Sequence, residues 1–264
     1  MFSDPRLTNF IANALALVAV AVIAAALIAW LINRPYFNIA RIYIEAMQEA
    51  DKLEHVSPAV VKATVGTRLQ GNFFTAQLDD IRKVFETVPW VRRAKIKRVW
   101  PNTLRVSLEE QQPLALWNEN AMINTWGETF SANRGELPDN WQLPQFYGPD
   151  NAERLVVQRY AELAHLLAPL NLSVKAIELS PRYAWSVELS DGLRLSLGRD
   201  PGADEADPHG RGGALSFAAR IAQFVEAWPK LQQQLAGRAV RSADLRYPNG
   251  FAITLAPVST NTIE

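Results

Sequence analysis

Residues 88–110 read VPWVRRAKIKRVWPNTLRVSLEE. Arg92, Arg93, Lys95, Lys97, Arg98 and Arg105 crowd this stretch. Two readings compete. It could hold a nucleic acid or an anionic lipid, or it could be a β-hairpin whose outer face is cationic. The spacing favours the hairpin. Ala94 and Ile96 alternate with Arg93, Lys95 and Lys97. After Trp100-Pro101-Asn102-Thr103, Leu104, Val106 and Leu108 alternate with Arg105, Ser107 and Glu109. Period two on both sides of a Pro-Asn turn predicts two paired strands. The basic residues then project into solvent while the apolar ones cover helices. Weak attraction of that face to an anionic surface stays open.

Composition points the same way. The 264 residues carry 27 Lys plus Arg and 27 Asp plus Glu, so the formal net charge is zero, whereas nucleic-acid binders are usually basic. There is no cysteine, which excludes disulfides, thiolate metal sites and cysteine nucleophiles.

Other chemistry is sparse in the sequence. His55, His165 and His209 fall at no metal-ligand spacing and read as surface residues; neither a G-x-S-x-G elbow nor a P-loop is present. Asp79-Asp80 fits the first turn of a helix, where the dipole favours carboxylates, and Glu109-Glu110 ends a strand. For most of Trp90, Trp100, Trp185 and Trp228, core packing is expected rather than sugar stacking. The expectation is a protein without enzymatic activity, cofactor, metal, nucleic acid or small-molecule substrate.

Phe10 to Ile32 form an uncharged apolar run in which Asn13 is the clear polar exception. As a helix it would be roughly 35 Å long, enough to cross a bilayer. Trp30-Leu31-Ile32 followed by Asn33-Arg34-Pro35 lacks the small-residue ending of a cleaved leader, so a retained anchor is expected. Arg6 on one side and Arg34 and Arg41 on the other barely choose an orientation.

Beyond the anchor, FNIARIYIE (37–45) predicts a strand with an irregularity. Ser57, Pro58 and Gly66 suit the N-cap, first turn and C-cap of a helix. Leu78, Ile81, Phe85 and Val88 mark the stripe of a second helix, stopped by Pro89. With the hairpin, the order is β-α-α-β-β.

The rest predicts a mainly antiparallel sheet with helices. INTWGETF (123–130) reads as a hairpin turning at Gly127, and LPQFYGP (143–149) as an extended link. Residues 152–170 form a helix with Val156, Tyr160, Leu163, Leu167 and Leu170 on one stripe. SVKAIELS, AWSVELS and LRLSLGR are strands, the last two joined at Asp191-Gly192. Phe217, Ile221, Phe224 and Trp228 mark another helix. VRSADLRY and FAITLA flank Pro248-Asn249-Gly250 as a final hairpin. The loop at 200–213 reads as flexible.

These motifs, in this order after one membrane span, resemble the FtsQ/DivIB family of bacterial cell-division proteins: GNFF (71–74), VPWV (88–91), RVWPNTLRV (98–106), EEQQPLALW (109–117), LGR (197–199) and DLRYPNG (244–250). The resemblance covers nearly the whole chain after residue 10. The short N-terminal tail and the EAMQEADKLEHV segment after the first strand depart from the family pattern. The fold it implies is α+β: a cytoplasmic tail at 1–9, a transmembrane helix at 10–32, a POTRA domain at 36–110, a β-domain at 111–258 and a flexible tail at 259–264. It implies a single-pass inner-membrane protein at the division septum, its body periplasmic.

The function implied is a divisome scaffold that recruits and tethers the FtsB–FtsL pair and links early and late division proteins, with FtsW, FtsI, FtsN and FtsK as further partners. By position, the resemblance places partner binding on Arg246, Tyr247, Asn249, Gly250 and Phe251, with Arg182 on the neighbouring SPRYAW strand. The alternative is a membrane-anchored transport or outer-membrane assembly component, since POTRA modules also serve there. A second β-α-α-β-β unit and a run of amphipathic barrel strands are both missing from the sequence.

Overall fold

A computed structural model describes residues 5–48, 52–66, 72–138, 141–200, 215–247 and 249–257. The loop at 201–213 and the tail at 259–264 lie outside them. The chain divides into two compact units, Met1–Gln111 and Gln112–Glu264.

The first unit opens with α1 (Pro5–Ile32), whose apolar part, Asn9–Ile32, is long and apolar enough to cross a membrane. Its 28 residues reach about 42 Å at about 1.5 Å each, beyond the ~30 Å of a hydrocarbon core. A short 3-10 turn, Pro35–Phe37, follows. Phe37 therefore belongs to this turn and not to the first strand, because Pro35 starts a tight turn there.

Then come β1 (Arg41–Ala46), α2 (Pro58–Val65), α3 (Leu78–Glu86), β2 (Val91–Val99) and β3 (Thr103–Glu110). The sheet order is β1-β3-β2, with β1 parallel and β2 antiparallel to β3. The Ser57 hydroxyl accepts from Ala59 N–H at 3.3 Å, capping α2 as its residue type predicts. Gly66 ends that helix in right-handed conformation, so no left-handed turn demands the glycine there. Val61, Val65, Ile81, Phe85, Leu104, Val106 and Leu108 are buried, with α2 packed on α3 and α3 on β2.

The hairpin forms as its period-two pattern requires, but two of its cations leave the solvated face. Arg92 sits where the β2–β3 register shifts, and its side chain is 5% exposed beside Glu109 at 2.9 Å. Arg98 donates to the Ala76 carbonyl at 2.6 Å on the helix side. Arg98 shares the parity of Ala94 and Ile96, so its place follows from the alternation, whereas the bulge at Arg92 does not.

The Glu109-Glu110 pair has structural work. The Glu110 carboxylate accepts from the N–H groups of Glu54, His55 and Val56 at 3.0, 2.9 and 2.6 Å. This fixes the segment before α2 and lays the His55 ring against Trp90, centroids 4.4 Å apart. His55 is thus half-buried rather than a surface residue; His165 is exposed, and His209 lies outside the described residues. Trp90, Trp185 and Trp228 are buried, whereas Trp100 is 70% exposed and is no core residue.

The second unit contains β4 (Pro113–Trp117), β5 (Ala121–Asn124), β6 (Thr129–Phe130), β7 (Gln145–Tyr147), α4 (Glu153–Leu167), β8 (Val174–Leu179), β9 (Ala184–Leu189), β10 (Arg194–Arg199), α5 (Phe217–Gln234), β11 (Val240–Asp244) and β12 (Ala252–Leu255). One sheet takes the order β12-β11-β10-β9-β8-β7-β4-β5-β6. Helix α4 packs on β8 and on α5, and α5 on β10. Val156, Leu163, Leu167, Phe217, Ile221, Phe224 and Trp228 close the core against the sheet. LPQFYGP holds β7, a central strand parallel to both β4 and β8, and is not merely a link. Gly127 turns the β5–β6 hairpin at φ +74°, and a Cβ there would meet the Arg154 Cα at 2.8 Å.

Candidate partner-binding edge

The nine-stranded sheet ends at β12, which pairs antiparallel with β11 and with no other strand among the described residues. Its outer side is therefore a row of open N–H and C=O groups. Burial alternates along the strand: Ala252 and Thr254 are exposed, Ile253 and Leu255 half-buried. Asp244 of DLRYPNG ends β11, and Leu245, Arg246, Tyr247, Asn249, Gly250 and Phe251 lie between the two strands.

The loop is built from β10 outward. Between Ser196 and Gly198 the β9–β10 register shifts, and Gly198 takes φ +70°. A Cβ at Gly198 would lie 2.9 Å from the Arg246 Cγ, so the missing side chain makes room for the Arg246 stem. From α5, the buried Arg220 donates to the carbonyls of Leu197 and, at 2.8 Å, Arg199, gripping the backbone on both sides of that glycine. Burial pulls the Arg220 guanidinium below its usual range, while nearby Asp200 acts in the opposite sense. Leu245 N–H then donates to the Ser196 carbonyl at 2.9 Å and plants the loop on β10.

Arg246 and Asp244 form a bidentate pair. Nε donates at 2.8 Å and an Nη donor at 2.6 Å, and the Arg246 backbone N–H adds 3.1 Å to the same carboxylate. These bonds hold the Asp244 carboxyl below the usual carboxylate range and raise Arg246. The Arg246 side chain nevertheless stays 63% exposed. The Tyr247 ring is 54% exposed. Phe251 instead packs edge-on against Phe224 of α5, centroids 5.2 Å apart.

Two open hollows meet at Phe251. One, about 420 Å³, is lined by Tyr247, Asn249, Gly250, Phe251 and Ala252. The other, about 360 Å³, runs from Phe251 along α5 past Gln223, Glu226, Lys230 and Gln234. The structure thus gathers Arg246, Tyr247, Asn249, Gly250 and Phe251 at one sheet edge. Pro248 lies outside the described residues.

Arg182 does not join them. It occupies the turn before β9, and β9 is separated from β12 by β10 and β11. It shares the same end of the sheet but stands about 14 Å away at about 4.8 Å per strand. Sequence adjacency of strands suggests a neighbour; the α5 crossover inserts β11 and β12 beyond β10 instead. The supporting Gly198 and Arg220 escape sequence reasoning, although LGR is visible as a motif. The α5 flank escapes it too, because its polar face resembles any solvated helix.

Family models match both units. The FtsQ-type POTRA domain matches residues 51–111, and the C-terminal region of cell division protein FtsQ/DivIB matches 115–246. The chain is 59% identical to cell division protein FtsQ of Bordetella pertussis, over 98% of this chain and 94% of that one. It is 42% identical to the Burkholderia pseudomallei protein of the same name, over 97% and 95%. Identity to the Thiomonas arsenitoxydans FtsQ is 34%, over 87% and 79%. A POTRA-bearing chain with one apolar N-terminal helix, matched along nearly its full length by these relatives, belongs to the FtsQ/DivIB family of cell-division proteins.

Proposed function

We propose that the chain is a non-enzymatic divisome scaffold that captures the FtsB–FtsL pair on the β12 edge. The edge of β12, unpaired among the described residues, is the observation that carries this reading. An incoming segment that adds as a further strand gains main-chain hydrogen bonds, and side-chain hollows supply selectivity. Both elements are present: open backbone groups on β12, and two hollows meeting at Phe251. Exposed Tyr247 offers a ring with a wet hydroxyl, and Arg246 offers a guanidinium already fixed in place by Asp244. A partner segment with an apolar anchor and a carboxylate fits this edge.

In this reading the short tail at 1–9 is cytoplasmic and α1 crosses the inner membrane. Residues 36–264 are periplasmic at the septum, where the scaffold links FtsB–FtsL to FtsW, FtsI, FtsN and FtsK. Arg182, three strands away at the same end of the sheet, meets an extended part of the partner. The test is capture of FtsB–FtsL by the full chain in nanodiscs, with and without Ile253→Pro. Proline removes an N–H and blocks strand addition. Capture should be lost while unfolding remains cooperative; undiminished capture would exclude the edge.

A further inference from the structure

The aromatic and basic residues left over from the hairpin occupy one place, the end of the first unit next to α1. Three hydrogen bonds fix this. Ala40 N–H donates to the Asn102 carbonyl at 2.9 Å, and Phe73 N–H donates to the Phe37 carbonyl at 2.7 Å. The Asn102 side-chain amide reaches the Tyr36 carbonyl at 3.4 Å. The β2–β3 turn therefore sits beside residues only a few positions past the end of the apolar helix.

Rings at this end are open. Trp100 at the turn, Tyr36 at the helix exit and Phe74 are all exposed. The Arg34 guanidinium lies over the exposed Trp30 ring, 3.5 Å from its centroid. Aromatic rings and long cations side by side are what the membrane–water interface selects.

Charge on the outer sheet face is graded in the same direction. The row nearest the turn after Arg41/Thr103/Val99 is Tyr43/Arg105/Lys97, by register. Neither Arg105 nor Lys97 is ion-paired among the described residues. The first carboxylate, Glu45, comes in the next row, about 7 Å farther out, and there it accepts from the Ser107 hydroxyl at 3.0 Å. Glu109 is farther still and is held by Arg92. Like charges placed directly opposite each other are unfavourable in a sheet unless something neutralises them.

We infer that the Trp100 turn is a second membrane contact, seated in the headgroup layer on the body's side of the bilayer, with Lys97 and Arg105 taking the phosphates of anionic phospholipids. The turn fixes the first unit against the membrane at two points, α1 and Trp100, and so orients its sheet. The inference rests on α1 as a membrane span, not on the identity of the protein partners.

The chain lacks cysteine, which makes site-directed spin labels unambiguous. Full-length Trp100→Cys, Arg93→Cys and Val20→Cys are each labelled with a nitroxide, an apolar ring that replaces the indole at position 100. They are placed in nanodiscs of phosphatidylcholine alone or with phosphatidylglycerol. Collision with oxygen and with a water-soluble nickel chelate reports depth. In the anionic discs, position 20 should meet oxygen, position 93 the chelate, and position 100 should be shielded from the chelate.

Adding Lys97→Glu and Arg105→Glu to the position-100 label should shift its seated population toward water by at least roughly 25-fold, since each cation near an anionic surface is worth about five-fold. Chelate access at 100 equal to that at 93, with 20 still in lipid, overturns the second contact and leaves the span intact. Chelate access at 20 overturns both. Shielding of 100 only after FtsB–FtsL is added would make the turn a protein contact and also overturn the inference. An unchanged seat in the double charge reversal would remove the headgroup contacts from it.

Discussion

Tyr247→Ala and Phe251→Ala should separate binding from folding, because the two rings are held differently. Tyr247 is 54% exposed, so its loss should change stability by no more than about 0.5 kcal/mol. Phe251 is half-buried against Phe224 at 5.2 Å. Truncating a fully buried Phe costs about 3–5 kcal/mol, so about 2 kcal/mol is expected here. At the interface, a ring acting as a hot spot contributes about 2 kcal/mol or more, which is roughly 30-fold in dissociation constant. Both variants should therefore bind FtsB–FtsL at least roughly 30-fold more weakly, but only Phe251→Ala should melt earlier. The assay is a titration of labelled FtsB–FtsL against the full chain in nanodiscs, with melting followed on the same samples. Wild-type affinity in Tyr247→Ala would refute the reasoning. So would joint loss of folding and binding in that variant, which would make Tyr247 a residue that shapes the loop.

Three further outcomes follow from the same geometry. Gly198→Ala should cost about 1–2 kcal/mol from its left-handed backbone alone, and by pushing on the Arg246 stem it should weaken FtsB–FtsL binding; a variant with altered melting and unaltered affinity would uncouple β10 from the edge. Glu110→Gln leaves three backbone N–H groups with a weaker acceptor and should lower the first unit's stability by about 2 kcal/mol, seen as faster amide exchange at residues 54–56 without change at β12. Asp244 has a folded-state carboxyl held below its unfolded value of about 3.9, so its pairing stabilises above that pH and the benefit is lost as pH falls through the lower folded value. The melting difference between wild type and Asp244→Asn should accordingly be present at neutral pH and shrink below about pH 4; a pH-independent difference would contradict the pairing.

Strands with a clear period are legible in the amino-acid sequence. The β2–β3 hairpin, the Asp191-Gly192 turn and the stripes of α3, α4 and α5 all follow from spacing that one buried face imposes. What escapes is short or non-local. Three residues of β7 between Pro144 and Pro149 are too few to show a period, yet parallel neighbours on both sides make them central. The bulge that tucks Arg92 against Glu109 inserts one residue and breaks the alternation. Arg182 is misplaced by its sequence position because strand neighbours in sequence need not be neighbours in a sheet: β10–α5–β11 is a parallel crossover, and it carries the partner edge away from β9. At the edge itself, the turn residues are visible in DLRYPNG. The support from Gly198 and Arg220 is not, since it depends on contact between β10, α5 and the loop.

FtsB–FtsL, in the proposed mechanism, is captured by strand addition at β12. Hydrogen–deuterium exchange of the full chain in nanodiscs, with and without saturating FtsB–FtsL, addresses it directly. Among the described residues β12 has one paired side and one open side. Binding should therefore slow exchange in the peptide spanning 251–256, with lesser protection along the α5 flank from Gln223 to Gln234 and none at β6, the opposite edge. Unchanged exchange at 251–256 together with protection elsewhere in the chain would contradict it.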